Sequence, residues 1–543
     1  MKKIIIILGC MFLAISKGWS QVSPEENLRA NLNQFRSNYD VTYYELEVKV
    51  IPQTQSLEGT VTMHFQTLEN LLRLQVDLDQ NLEVSTITYQ KHKLAFKRQD
   101  RAIFVDFLEP IPKGELASIR IEYKGRPPMT QNAPQQGGFD WRQNLSGKDW
   151  IAVSPQQTGG SGWWPCKDHI SDQADSMRIK IAVPKELIAV SNGRLTSVLK
   201  NRSDGFWSYQ WKVSEPIQTT NVMLSISNYV LIKDTYESDE YGNLELSYYV
   251  LPTNEAKART HFKQVKTILR TYERILGKYP FWRDGYTVVD TPFQGVYAHG
   301  LIPYANFYRN IPEQNVDYTL LHGTASQYFG NSISNENEAA LWIPEAFSTY
   351  AEALFIERRK SYVDALEYLK KYRKNIKNAA PLASLSPTVQ IRSDQDPAYK
   401  GAWIIHTLRK IVNDDSAWYA LMRDIPQHFA HQLITNEALV RYLNQQSGID
   451  CTPFFNHYLF QLDPPVFEFM AVDNPRRYKL TYRWRSRVPG FKMPMRVTFG
   501  DRYQTLYPTQ EWQTITLPKQ DGQKFVLDMD RFYVFGNHLP LPD

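Results

Sequence analysis

Cysteine is nearly absent from this sequence: three residues in 543, too few for a disulfide scaffold. Charge of one sign is not in excess either. Lysine and arginine number 62 against 57 aspartates and glutamates, and no basic run extends beyond a few residues. Nucleic acid is therefore not an expected partner. Beyond the first twenty positions no stretch approaches the ~20 apolar residues that a membrane-spanning helix needs. Glycine (26) and proline (31) follow no period, and there is no internal repeat or low-complexity segment. Collagen-like, coiled-coil and disordered classes are excluded. What is present is an ordinary globular composition, 42% hydrophobic, with 32 Tyr and 13 Trp to fill a large core. The length corresponds to about three to four domains.

The first twenty residues read as a secretory signal. Lys2 and Lys3 form a basic start, Ile4 to Leu8 and Met11 to Ile15 an apolar stretch, and Ser20 a small residue before Gln21. A lipoprotein reading through Cys10 leaves the apolar stretch very short. Removing the signal leaves 59 basic against 57 acidic residues, a nearly neutral chain. The expected location is periplasmic or secreted. Cys166 and Cys451 then remain, read as two buried free thiols.

From about 38 to 235 the hydrophobic period is two. Tyr44, Leu46, Val48 and Val50 alternate with polar residues, as do Leu72, Leu74, Val76 and Leu78, then Ile119, Ile121 and Tyr123, then Met177, Ile179 and Ile181. This predicts a large antiparallel β domain. Residues 126–162, rich in Pro, Gly and Gln, read as loops. Near 253 the period becomes helical. Helices are predicted over 254–277, 315–329, 337–359, 361–375, 401–413 and 436–446. Alternation returns at Tyr478, Leu480, Tyr482 and Trp484. The expected organisation is a signal at 1–20, a short segment at 21–37, an N-terminal β domain at 38–235, a mainly helical domain at 236–468 and a small β module at 469–543. The class is multidomain α+β.

The stretch from His322 to Glu352 carries the chemistry. In the zinc-peptidase motif H-E-x-x-H, two histidines four apart share a helix face and the Glu is the general base. Here His322 stands in the first ligand slot, Gly323 in the base slot and Ser326 in the second ligand slot, with Glu345 eighteen residues beyond. With Trp342, Phe347 and Tyr350 around Glu345, this pattern resembles the gluzincin aminopeptidases, the family of aminopeptidase N and leukotriene hydrolase. Gln327, Phe329, Gly330 and Asn331 after the motif agree with it, as do Trp163-Trp164-Pro165-Cys166-Lys167-Asp168, Lys400-Gly401-Ala402 and Phe491 to Pro494. The resemblance implies an N-terminal β saddle, a thermolysin-like helical domain and a small C-terminal β module. It also implies substrate contacts at Gln156 and in the loop of Gly295 and Tyr297.

Four slots depart from the family. Ser326 is a poor zinc ligand, and Gly323 cannot accept a proton. Ala398 stands where the family has its transition-state tyrosine, a loss of ~3 kcal/mol of stabilisation. Tyr297 replaces the acid that anchors a free amine. His322 and Glu345 alone fall short of the three protein ligands usual for catalytic zinc. The reading is a degenerate, non-catalytic homologue with no cofactor expected and a peptide or protein as partner. The alternative is an active enzyme with zinc rebuilt on His299, His322 and Glu345, in which Glu338 or Glu352 would have to act as base.

Overall fold

The computed structural model describes residues 32–155, 158–201, 203–293, 298–336, 338–383, 394–474, 476–499, 502–518 and 525–541. Residues 1–20, read above as a signal, lie outside these ranges.

The N-terminal part is built on an eight-stranded sheet. Its centre pairs Tyr39–Ile51 with Ser56–Thr67 and, in parallel, with Ser176–Pro184; the other pairings are antiparallel. The alternation holds: Tyr44, Leu46, Val48 and Val50 are buried, as are Ile119, Ile121 and Tyr123. Each such side chain contributes roughly 1.5–3 kcal/mol by leaving water. The strand Leu71–Asp77 departs from the expected pattern. A bulge between Leu71 and Arg73 turns Leu72 outward, and Gln75 and Asp77 are buried together with Leu74 and Val76. Asp77 tolerates burial because Arg36 donates to it at 2.5 Å and Gln75 at 2.8 Å.

The stretch 126–162 is not all loop. It holds the strands Gly138–Gln143 and Asp149–Ser154, paired as a hairpin within a four-stranded sheet. Both are too short to stand out among the surrounding Pro and Gly residues. The Trp163 to Asp168 stretch is core: Trp164 meets Tyr44 edge-on at 4.9 Å, and Lys167 donates to Asp172 and to the Tyr39 carbonyl, each at 2.7 Å. Cys166 and Cys451 are free and buried, as expected.

The helical part follows. The predicted helix over 254–277 is two, Glu255–His261 and Gln264–Leu276, broken where Phe262 seats against Tyr248 and Tyr304. Phe262, Val265, Ile268, Leu269 and Tyr272 are all buried, as their spacing requires. Four later helices position the candidate site: α1 (Tyr318–Tyr328), α2 (Trp342–Arg359), α3 (Tyr362–Arg373) and α4 (Asp396–Val412). Two helices escaped the pattern. Asp415–His428 buries Trp418, Leu421, Met422 and Ile425 at helical spacing but carries an internal proline, and Thr452–Phe460 is only nine residues long and mostly apolar. The helix Asn436–Ser447 appears where predicted.

The C-terminal part is a four-stranded sheet, Gln513–Pro518, Arg477–Arg485, Val466–Asn474 and Phe535–His538 in that order, beside a three-stranded one. The whole is a large β-rich N-terminal part, a helical middle and a C-terminal β part, mixed α+β. Among the described residues no helix is long and apolar enough to cross a membrane.

Candidate functional site

α1 is fixed at its start by Asp317. One carboxylate oxygen caps the helix, accepting from the backbone N–H groups of Thr319 at 2.8 Å and Leu320 at 3.2 Å. The other accepts from the Tyr304 hydroxyl at 2.6 Å and His261 Nε2 at 2.7 Å. Gln327 ties the far end down: its carbonyl accepts from Gly300 N–H at 2.9 Å and its amide donates to Ala298 O at 3.3 Å. The face carrying 322, 323 and 326 is thereby held against α2.

His322 is buried and hydrogen-bonded. Its Nδ1–H donates to Glu352 Oε1 in a short contact. Glu352, fully buried on α2, accepts at Oε2 from the Tyr368 hydroxyl at 2.6 Å and the Tyr372 hydroxyl at 3.0 Å, both from α3. Tyr318 lies over the imidazole at 5.4 Å, nearly parallel. Burial by itself pushes the His322 pKa down; the Glu352 charge and hydrogen bond, aided by the Glu345 charge, outweigh it and raise the pKa. Burial and the same Glu352 charge raise both phenols, Tyr368 and Tyr372. The arrangement thus keeps a proton on the imidazole and on each phenol, all directed at one carboxylate.

The other positions do not join this network. The Ser326 hydroxyl donates to the His322 backbone carbonyl at 3.0 Å, within its own helix. Gly323 contributes only its carbonyl, which accepts from Gln327 at 3.2 Å. Glu345, in the first turn of α2, is exposed and makes no hydrogen bond or ion pair among the described residues. The carboxylate on α2 that His322 meets is therefore Glu352. Ala398 is buried at the start of α4, and the neighbouring Tyr399 stacks on Tyr372 at 4.6 Å. Lys400 donates to the Leu462 carbonyl at 2.7 Å. Gly401 lets α4 approach α2: a Cβ there would meet the Ala346 Cβ at 2.5 Å. Trp342 donates to Asn436 at 2.8 Å and Phe347 stacks on Phe329 at 5.2 Å, so the aromatics around Glu345 are packing residues.

The rebuilt ligand set is not assembled. His299 is fully buried, turned to Asp284 at 3.4 Å and packed on Phe281 at 3.7 Å, because that carboxylate offers it a charged partner. Among the described residues no group of three or more His, Cys, Asp or Glu side chains is placed to hold a metal ion. Gln156, Gly295 and Tyr297 lie outside the described residues, as does the side chain of Glu338.

Two family descriptions match this architecture. The peptidase M1 N-terminal domain matches residues 40–220, and the peptidase family M1 domain matches residues 301–458, which contain the whole His322 network. The chain belongs to peptidase family M1. Aminopeptidase M1-A of Oryza sativa subsp. japonica is 24% identical over 420 residues, 72% of this chain and 46% of its own length. Aminopeptidase B of Mus musculus is 20% identical over 473 residues, 78% of this chain and 70% of its own. Transcription initiation factor TFIID subunit 2 of Drosophila melanogaster is 22% identical over 200 residues, 36% of this chain and 16% of its own. The chain spans about half the length of the rice relative. Among solved structures, an M1 zinc metallopeptidase from Deinococcus radiodurans bound to a Tyr-Ser-Ala substrate aligns with a TM-score of 0.65 at 21% identity. It covers 80% of this chain and 96% of that one. Sequence reasoning missed the α3 hydroxyls in this M1 site. Their only signal was Tyr368 and Tyr372 four apart, which places both on one helix face.

Proposed function

We propose that this chain is a non-catalytic member of the M1 family, exported by its N-terminal signal, that acts as a peptide-binding or interaction protein. The observation that carries this reading is the joint replacement at Gly323, Ser326 and Ala398 around His322; the Nδ1 bond to Glu352 orients the ring and does not by itself argue for or against a metal. These residues do not fit a three-donor zinc centre. They offer one imidazole, one hydroxyl bonded to its own helix and one carboxylate in solvent. Among the described residues a general base is also missing. Gly323 has no side chain, and Glu352 already accepts from an imidazole and two phenols in a buried position. Glu352 orients His322 and leaves no open carboxylate for a water.

The decisive experiment uses the purified mature chain with aminoacyl-anilide substrates, with and without added zinc, beside elemental analysis. The expected result is substoichiometric zinc and no zinc-dependent turnover. Stoichiometric zinc together with removal of an N-terminal residue from a peptide would falsify the reading. Restoring Gly323→Glu, Ser326→His and Ala398→Tyr together and recovering peptidase activity indicates a scaffold that still shapes a substrate site. N-terminal sequencing of the exported protein tests the signal, with Gln21 the expected first residue.

Membership of a larger assembly is a second form of the same reading. It is favoured by the Tyr372–Tyr399 stack, which fills space at the start of α4, and by the kinship with a protein named as a transcription factor subunit. Tripeptide titration separates the two forms: saturable binding supports a peptide-binding role.

A further inference from the structure

The charge balance of the chain is unevenly distributed. Between residues 476 and 519 ten lysines and arginines face only two acids, in a chain whose total excess is +5. The strand Arg477–Arg485 organises much of this excess. Tyr478, Leu480, Tyr482 and Trp484 point into the core, so Arg477, Lys479, Thr481, Arg483 and Arg485 share the outward face. Successive outward positions are about 6.8 Å apart, giving a row about 27 Å long.

The neighbouring strands define the rest of the face. On one side Thr516 stands opposite Lys479, and Thr514 opposite Thr481. The Thr481 and Thr514 hydroxyls are 3.0 Å apart and exposed. Trp512, beside this row, lies under the Arg483 guanidinium at 4.5 Å and remains 39% exposed. On the other side Val472 stands opposite Lys479, and Glu468 opposite Arg483. Among the described residues Glu468 is the one carboxylate of the face, and it pairs with Arg483 at 2.9 Å and Arg485 at 2.8 Å. Arg477 and Lys479 are exposed and form no ion pair among the described residues.

We propose that this outer face is a docking surface for an acidic polysaccharide. The cation row complements a chain of carboxylates or sulfates. The threonine hydroxyls between and beside the cations hydrogen-bond sugar hydroxyls, and the part of Trp512 that Arg483 leaves uncovered receives the apolar side of a sugar ring. A single-stranded nucleic acid needs a series of open aromatic platforms, and here the one indole is already covered on one face by Arg483. A bilayer surface needs an apolar rim to insert, and Met470 and Val472 are half-buried. The surface lies outside the helical site and is independent of whether that site is catalytic.

The test uses the full mature chain and polygalacturonate as the probe, followed by calorimetry or affinity electrophoresis. Binding is expected at about 50 mM NaCl and its loss is expected at about 500 mM, where the Debye length falls to about 4 Å. Neutral dextran is expected not to bind. Arg477→Ser with Lys479→Ser is expected to weaken binding about tenfold, two exposed charge contacts together being worth ~1.4 kcal/mol. The charge-keeping pair Arg477→Lys with Lys479→Arg is expected to bind as the parent does, and unchanged thermal melting of both variants excludes misfolding. Three results overturn the proposal: no binding to polygalacturonate at low salt, equal binding by the serine variant, or tighter binding to oligothymidylate or to phosphatidylglycerol vesicles.

Discussion

Of the buried carboxylates in this molecule, Asp77 and Glu352 have different kinds of partner. Asp77, in the N-terminal β part, accepts from the Arg36 guanidinium, from Gln75 and from the Asp168 backbone N–H. Glu352, in the helical part, accepts from His322 and two tyrosines. Both satisfy their lone pairs, as a buried carboxylate must. They differ in the cation. A guanidinium keeps its charge at any pH a protein meets, whereas an imidazole can release its proton and become neutral. The first cluster is a fixed strut. The second is satisfied too, but its charge depends on conditions.

The comparison predicts unequal costs of disruption. Arg36→Ala leaves Asp77 buried with its main counter-charge gone, and about 3–5 kcal/mol of stability should be lost in chemical denaturation. Glu352→Leu strands His322, Tyr368 and Tyr372, but the imidazole can shed its charge. The expected loss is smaller, about 2–3 kcal/mol by the same measurement. Equal losses at the two sites would break the comparison.

A pH series sharpens it. The folded pKa of His322 is raised, so its contribution to stability is complete below the unfolded value and disappears as pH rises through the folded value. The melting-temperature gap between the parent and Glu352→Gln is therefore expected to be widest near pH 5 to 6 and to close on the alkaline side. No such closing is expected for Arg36→Ala. Ser326→Ala is the smallest change. Its hydroxyl only bonds back to its own helix, so thermal melting should shift by the equivalent of less than about 0.5 kcal/mol.

Much of this was legible along the chain. The alternation at Tyr44 to Val50 and the helical face from Phe262 to Tyr272 each follow from one local period, and each is buried as that period requires. The strands at Gly138–Gln143 and Asp149–Ser154 were not legible, because short strands leave too few alternations to rise above a Pro- and Gly-rich background. The buried Gln75 and Asp77 were hidden for a different reason. Their burial depends on Arg36 arriving from another segment.

The site divides in the same way. What stands at 322, 323, 326, 345 and 398 is a matter of side-chain chemistry, and the sequence alone places a glycine at 323, a serine at 326 and an alanine at 398. Which carboxylate His322 would meet was beyond it. Glu345 and Glu352 lie seven residues apart on one helix, two turns and about 10.5 Å along the same face. Periodicity treats them as equivalent. Only the packing of α1 and α3 against α2, which buries one and leaves the other in solvent, chose between them.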